Sequence, residues 1–206
     1  PFPYDTFPMP LVIGVVGEKG SGKGTFADIF RIACPGRRVT TLRFSDILRE
    51  TLRLWTIPES RANLATVVLA MVRAFGTDAL ANAVIARVNT VNAEVVILDG
   101  IRRKPELELL RKFPSNTLVY VTAPETVRFD RLRQRQENIG EGGMTYEQFL
   151  AEERAETEIE IPGIGASADI RIENDQSIEA YEQRVRDIAA IVHATTATSD
   201  RKRTSM

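Results

Sequence analysis

The sequence predicts a three-layer α/β domain in which helices cover both faces of a five-stranded, mostly parallel sheet. Short runs rich in valine and isoleucine alternate with longer stretches of helical period, as expected of successive βαβ units. The chain has 206 residues, of which 43% are hydrophobic and 27% are charged, a composition typical of a globular protein with one complete core. We therefore expect a single domain that needs no disulfide or structural metal.

Five apolar runs are predicted as strands. The first, third and fourth are almost continuously hydrophobic, which is typical of strands that are buried on both faces of a parallel sheet. The second and fifth alternate between apolar and polar residues and therefore fit the sheet edges. In chain order the runs are Leu11 to Val16, Val39 to Phe44, Val95 to Leu98, Leu118 to Val121, and Ile170 to Ile172.

Apolar residues at helical spacing predict two helices that pack on the sheet. Thr145 and Gln148 have the spacing of a capping box and predict the start of a further helix. The apolar stripes of the first two helices are Phe26, Ile29, Phe30 and Ala33, and Ile178, Tyr181, Val185, Ile188 and Val192.

Two segments interrupt the alternation of strands and helices. Residues 48–91 have helical period and are predicted as a helical insertion, and residues 136–165, near a glycine cluster, are predicted as a short lid. Both follow the carboxyl ends of strands, where open α/β sheets bind their ligands. We expect the domain to span residues 11–193, with an extended lead-in at 1–10 and a flexible tail at 194–206.

The composition argues against several classes of protein. The 27 basic and 28 acidic residues give a net charge of -1, unlike a dedicated nucleic-acid binder. The single cysteine, Cys34, and single histidine, His193, cannot form a disulfide framework or an ordinary zinc site. No apolar stretch approaches the roughly 20 residues of a membrane span. We expect a cytoplasmic protein without nucleic-acid or membrane partners.

A glycine-rich loop lies directly between the first predicted strand and the first predicted helix. It reads Gly17-Glu18-Lys19-Gly20-Ser21-Gly22-Lys23-Gly24-Thr25, which matches a phosphate-binding P-loop in its required context. Glycines allow successive backbone N–H groups to point into one concavity, and the helix N-terminus adds partial positive charge. Lys23 supplies a mobile cation for the β and γ oxygens of a nucleotide. A tight turn without a ligand would have no use for a lysine at this spacing.

The loop departs from the general pattern at the residue after the lysine. Most P-loops have there a serine or threonine that ligates Mg²⁺, whereas this chain has Gly24 followed by Thr25. The Gly-Lys-Gly-Thr ending resembles the adenylate kinase and wider nucleoside monophosphate kinase family. The resemblance implies that Thr25 reaches the nucleotide phosphates and is at most a weak metal ligand, with Mg²⁺ held mainly by ATP oxygens and water.

Two further segments resemble the same family. Ser45-Asp46-Ile47-Leu48-Arg49 stands where the family has Gly-Asp-x-Leu-Arg, and Asp99-Gly100-Ile101-Arg102-Arg103 stands where it has Asp-Gly-Phe-Pro-Arg. The resemblance implies that Arg49 and Arg103 grip the acceptor's phosphate. Because Arg102 takes the family's proline position, either Arg102 or Arg103 could face the acceptor. The Asp-Gly-Ile-Arg form is closer to a little-characterised archaeal-type group of nucleotide kinases related to dephospho-coenzyme A kinase.

Two aspartates are candidates for the metal site. Asp99 ends an apolar strand and so has the position of a Walker B carboxylate that faces the P-loop and Mg²⁺. Asp46 has three alternative roles: it could orient water bound to Mg²⁺, act as a base, or cap the helix that follows it.

A third group of arginines precedes the predicted lid. The segment from Arg128 to Arg135 resembles the start of the kinase lid, where arginines close over the transferring phosphoryl group. Helical spacing places Arg128, Arg131 and Arg135 on one face. The resemblance favours Arg131 and Arg135 as catalytic residues, together with Lys23 and Asp46.

The resemblance as a whole implies ATP-dependent phosphoryl transfer to a small phosphorylated acceptor, with a nucleoside or deoxynucleoside monophosphate preferred and with ATP and Mg²⁺ as cofactors. Catalysis would rest on positioning and charge neutralisation. One alternative is dephospho-coenzyme A kinase-like transfer to a ribose hydroxyl, although Arg49 follows Asp46 by three residues and not by that family's four. Another is an ATP-binding switch that hydrolyses slowly. The acceptor and the oligomeric state stay open.

Overall fold

The protein has a five-stranded parallel sheet between two layers of helices. The computed structural model describes residues 9–76, 78–135, 143–155 and 158–203, with only the backbone at Arg61, at Arg135 and from 193 onward. The strands follow the order β2-β3-β1-β4-β5 across the sheet, and all neighbouring strands are parallel. Their bounds are β1 Leu11–Val16, β2 Val39–Arg43, β3 Val95–Ile101, β4 Asn116–Thr122 and β5 Ile170–Glu173.

The predicted positions of the strands within the sheet are confirmed. The three continuously apolar strands lie inside, and the two alternating strands lie at the edges. The inner strand β1 is buried along its whole length, because helices cover both of its faces.

Helices fill the connections between the strands. The predicted capping box forms at the start of the helix Tyr146–Glu153: Thr145 Oγ1 accepts from Gln148 N, and Gln148 Oε1 accepts from Thr145 N. The bounds of the helices are α1 Lys23–Ala33, α2 Phe44–Leu54, α3 Arg61–Phe75, α4 Ala79–Thr90, α5 Lys104–Arg111, α6 Glu125–Arg135, α7 Tyr146–Glu153, α8 Ile161–Gly165 and α9 Ile178–Arg203.

The core consists of two clusters, one on each face of the sheet. On one face, Phe26 and Phe30 of α1 pack with Tyr181 and Val185 of α9. On the other face, the strands pack against α2, α4, α5 and α8. The predicted apolar stripe of α9 includes Ile178, but this residue is 51% exposed because it is the first residue of the helix and lies beyond the sheet contact.

The helical insertion comprises α2, α3 and α4 and begins at Phe44, four residues before the predicted boundary. Val84 and Val88 of α4 are buried, whereas Met71 of α3 is exposed. No single described helix is long and apolar enough to cross a membrane. By length and composition alone, Ala62–Phe75 and Ala79–Thr90 would together be long and apolar enough, but the two helices meet at a bend of 101°.

The predicted termini and lid are described only in part. Most of the lead-in lies outside the described residues, as do 136–142 and 156–157 of the predicted lid; the rest of the lid contains α7 and α8. The sequence predicts irregular chain from residue 194, but the backbone of α9 is helical to Arg203. Residues 194–203 contain no glycine or proline that would end the helix.

Candidate active site

The glycine-rich loop connects β1 to α1 and has two residues with left-handed backbone conformation. Gly20 has φ 76° and Gly22, the N-cap of α1, has φ 104°, a region that disfavours residues with a side chain. A Cβ atom would lie 2.6 Å from the Arg128 carbonyl oxygen at Gly20 and 2.4 Å from Asn174 Nδ2 at Gly22. The conformation and the close packing of the loop therefore both require glycine.

Lys23 folds back over its own loop. Its Nζ donates to the carbonyl oxygens of Gly17 at 2.6 Å and Glu18 at 2.8 Å. Burial lowers the pKa of Lys23 to about 8, an effect that the Asp99 carboxylate opposes and that the Arg102 guanidinium reinforces. The structure thus brings together Lys23, Asp99 and Arg102, three residues that the sequence placed in one site.

Scaffold residues hold the outer side of the loop through its carbonyl groups. Asn174 Nδ2 donates to the carbonyl oxygen of Ser21 at 2.8 Å, and Tyr181 Oη donates to that of Gly22 at 3.0 Å. The first turn of a helix leaves N–H groups without intrahelical partners. With its carbonyl groups held by the scaffold, the start of α1 offers the donors that a phosphate needs.

Two ion pairs join α7, which lies within the predicted lid, to α6 and to the P-loop. The Arg128 guanidinium is buried, lies 5.5 Å from the centre of the Phe149 ring and donates through Nη1 to Glu153 at 2.6 Å. Lys19, predicted to bind nucleotide, pairs with Glu152 of α7 at 2.7 Å. Arg128 and Lys19 therefore connect α7 to α6 and to the P-loop, respectively.

Arg131 lies beside Asn174, which also bonds to the P-loop. Its Nη2 donates to Asn174 Oδ1 at 3.3 Å, and its Nη1 is buried without a hydrogen-bond partner among the described residues. The side chain of Arg135, the second predicted lid arginine, lies outside the described part of the chain.

Arg43, which the sequence analysis missed, links the two candidate metal-site aspartates. It is the last residue of β2 and is in register with Asp99 of β3. Its Nε donates to Asp99 Oδ2 at 3.2 Å, and its backbone N–H donates to Asp46 Oδ2 at 2.8 Å. This contact caps α2, but Asp46 is the third residue of that helix and does not precede it as predicted. An arginine at the carboxyl end of an edge strand was the available signal.

A cavity of about 240 Å³ lies between α1 and the carboxyl ends of β2 and β3. It adjoins the P-loop at Gly24, where an added Cβ would meet no atom within 4 Å. Its lining residues are Gly24, Ala27, Asp28, Thr41, Arg43, Asp46 and Asp99.

The three predicted acceptor arginines do not line this cavity, and each forms an ion pair. The Arg102 guanidinium also contributes to the lowered pKa of Lys23. The pairs are Arg49 Nη1 with Glu59 Oε2 at 3.1 Å, Arg102 Nη1 with Glu158 Oε1 at 3.3 Å, and Arg103 Nη2 with Glu106 Oε1 at 3.7 Å.

The donors near the loop suit Mg²⁺ that is held mainly by nucleotide oxygens and water. Asp46 and Asp99 offer carboxylates beside Gly24, and Thr25 is exposed at the start of α1. Among the described residues, no group of three or more His, Cys, Asp or Glu side chains could by itself hold a metal. Mg²⁺ commonly uses one or two carboxylates and keeps several waters, so this donor set fits it.

Comparisons with known proteins agree with this architecture. A family model described as "AAA domain" matches residues 13–159. A UPF0200 protein from Methanoregula boonei is 30% identical over 180 residues, covering 86% of this chain and 94% of its own.

Two solved structures share the fold. TT1252 from Thermus thermophilus has a TM-score of 0.58 and 24% identity, over 91% of this chain and 98% of that chain. A shikimate kinase from Bacteroides thetaiotaomicron has a TM-score of 0.54 and 17% identity, over 86% and 97%. These similarities show the P-loop kinase-like α/β fold, and the sequence matches show that the chain belongs to the AAA domain family and to the UPF0200 proteins.

Proposed function

We propose that this protein transfers a phosphoryl group from ATP to a small-molecule acceptor bound in the cavity beside Gly24. The proposal rests on the position of the cavity, which adjoins the P-loop on one side and the polar ends of β2 and β3 on the other. A molecule in the cavity would therefore lie next to phosphates held by the loop. One structural relative is named as a shikimate kinase, which supports the same class of reaction.

The chain's own residues would act mainly by positioning and by neutralising charge. Residues 17–25 would bind the ATP phosphates, and Lys23 would exchange its two carbonyl partners for phosphate oxygens. Mg²⁺, when bound near Asp99 and Asp46, supplies Lewis-acid stabilisation of the phosphates. Arg102, which influences Lys23, and Arg131, which bonds to Asn174 beside the loop, would neutralise negative charge on the transferred group.

The preferred acceptor class is a nucleoside or deoxynucleoside monophosphate. Positive groups around the site, Arg43 in the cavity wall and Arg102 near Lys23, support an acceptor that carries a phosphate. For Arg49 and Arg103 to bind it as well, they would have to leave Glu59 and Glu106. The second candidate is an acceptor hydroxyl, which the carboxylates of Asp46 and Asp99 in the same wall favour.

An acceptor-dependent ADP-release assay tests the proposed function. Wild-type protein would be supplied with Mg²⁺-ATP and a panel of nucleoside monophosphates, deoxynucleoside monophosphates and dephospho-coenzyme A. We expect one class of acceptor to stimulate ADP release, and Lys23→Ala to lower kcat by about 10² or more with an unchanged melting temperature. Acceptor-independent hydrolysis would indicate the switch alternative, and full activity of Lys23→Ala would remove the kinase assignment.

Asp46→Asn separates the two acceptor classes. Asparagine can still accept the Arg43 N–H bond, so the cap of α2 is kept. If Asp46 only orients Mg²⁺-bound water, the loss should be partial and raised Mg²⁺ or Mn²⁺ should restore activity. If Asp46 removes a proton from a hydroxyl, we expect a loss of about 10² to 10⁴ that metal does not restore.

A further inference from the structure

We propose that Arg43 is the residue that binds the acceptor's phosphate, and that Asp99 orients it for this task. The inference rests on the proposed function, because it assigns the specificity of the same cavity. It differs from the expectation drawn from sequence, which gave this role to Arg49 and Arg103.

Arg43 lies in the cavity that adjoins the P-loop. It is the one cationic side chain among the described residues that line this cavity, and Gly24 of the P-loop lines the same cavity across from it. An anion bound at Arg43 would therefore face the phosphates of a nucleotide held by the loop. The Arg43 side chain is 61% exposed, so its guanidinium is accessible to a ligand.

Asp99 orients the guanidinium of Arg43. Asp99, whose side chain is only 12% exposed, accepts from Nε at 3.2 Å. This contact occupies one N–H of the planar fork and leaves the edge formed by Nη1 and Nη2. Within the described chain, that edge donates no hydrogen bond. A free edge with two parallel donors is the arrangement that binds a phosphate bidentately.

The three arginines predicted to bind the acceptor are already held in ion pairs. The terminal nitrogens of Arg49, Arg102 and Arg103 already lie within 3.1 to 3.7 Å of glutamate oxygens. Recruiting any of them requires breaking an ion pair, whereas Arg43 can keep its Asp99 contact and still bind. Arg43 is therefore the arginine that is oriented before the acceptor arrives.

The carboxylates of the wall do not prevent this binding mode. Asp99 is bonded to Arg43 itself, and Asp46 accepts a backbone N–H at the start of α2. Asp28 is exposed and lies 3.6 Å from Arg31. These acidic groups instead make the rest of the wall unfavourable for a phosphate, which confines an anionic acceptor to the Arg43 side of the cavity.

Calorimetric titration of the full chain, with a non-hydrolysable ATP analogue bound, tests the proposal. The probes are AMP, GMP, CMP and UMP, their deoxy forms, and the corresponding nucleosides, which lack the phosphate. We expect Arg43→Ala to raise the Kd of the tightest monophosphate about 10- to 100-fold, as for loss of a charge-assisted bidentate contact. The Kd values of the nucleoside and of the ATP analogue should change less than about twofold, and Arg43→Lys should restore part of the loss because it keeps the charge without the fork.

Arg38→Ala is the matched control. Arg38 precedes the opposite end of β2, has a similar exposure of 59% and also pairs with an acidic side chain, Glu94. This variant should bind every probe as the wild type does.

Three outcomes would overturn the assignment of Arg43. They are equal losses for monophosphate and nucleoside, no loss in Arg43→Ala, and no binding of any monophosphate by the wild type. None of these removes the proposed function, which stands if a hydroxyl acceptor stimulates ADP release. Conversely, phosphate-specific loss in Arg43→Ala without acceptor-dependent turnover would keep the binding role and remove the kinase reaction.

Discussion

The ammonium group of Lys23 is held by two backbone carbonyls and makes no ion pair within the described chain. Burial therefore dominates its titration and lowers its pKa to about 8 from the ordinary 10.5. Because the charged form binds phosphate, kcat/KM for ATP, which reports the free enzyme, should be constant below pH 8 and fall above it.

A pH profile of kcat/KM at constant ionic strength measures this fall. Arg102 reinforces the lowered pKa of Lys23, so Arg102→Ala should move the decline to higher pH. A profile that stays flat to about pH 9.5 in the wild type would contradict a lowered Lys23 pKa.

The loop glycines should differ sharply in tolerance to alanine. Gly20 has φ 76° and faces the Arg128 carbonyl, so Gly20→Ala should reduce the free energy of unfolding by about 1 to 3 kcal/mol. Gly24 lies in the first turn of α1 with open space around it, so Gly24→Ala should leave stability unchanged or raise it by up to about 1 kcal/mol. Urea denaturation of both variants provides the comparison, and equal losses would refute the close packing at Gly20.

At the scale of elements, two ion pairs of unequal burial join α7 to α6 and to the P-loop. The side chains of Arg128 and Glu153 are 7% and 18% exposed, and Arg128 also donates to the carbonyl oxygens of Ala123 and, at 3.5 Å, of Lys19. The pair of Lys19 with Glu152 is more exposed, at 27% and 43%.

We expect Arg128→Ala to cost about 3 to 5 kcal/mol of stability, since it leaves a largely buried carboxylate without its partner. Lys19→Ala should cost less than about 1 kcal/mol. If Arg128→Ala still folds, its KM for ATP should rise as well, because the guanidinium supports the loop at Lys19. Chemical denaturation and ATP titration measure both effects, and equal stability of the two variants would contradict the unequal burial.

At the scale of the whole molecule, α9 closes one face of the sheet by packing on α1 through residues up to Val192. A chain ending at residue 193 retains the core contacts of α9 up to Val192, and we expect its melting temperature to stay within about 2 °C of that of the full chain. In contrast, Val185→Ala, at a fully buried position, should cost about 2 kcal/mol. A large loss on truncation would show that the last turns of α9 contribute to the fold.

The sequence by itself determined the strands, their central or edge positions, the P-loop and the capping box of α7. Each of these depends on local patterning: burial on both faces requires an apolar run, and a left-handed turn beside a helix N-terminus requires glycine. Lys23 could be recognised as the lysine of a P-loop from its sequence neighbours, because the whole loop is contiguous in the chain.

Only the tertiary structure decided the partners of the charged residues. Arg43 and Asp99 are 56 positions apart and meet because β2 and β3 are parallel and in register. Likewise, only the fold places the Asp46 carboxylate on the Arg43 N–H and brings Arg102 close enough to Lys23 to lower its pKa. Ion pairs depend on a few ångströms in three dimensions, whereas periodicity constrains only which face of an element is buried, so the pattern of the chain does not determine them.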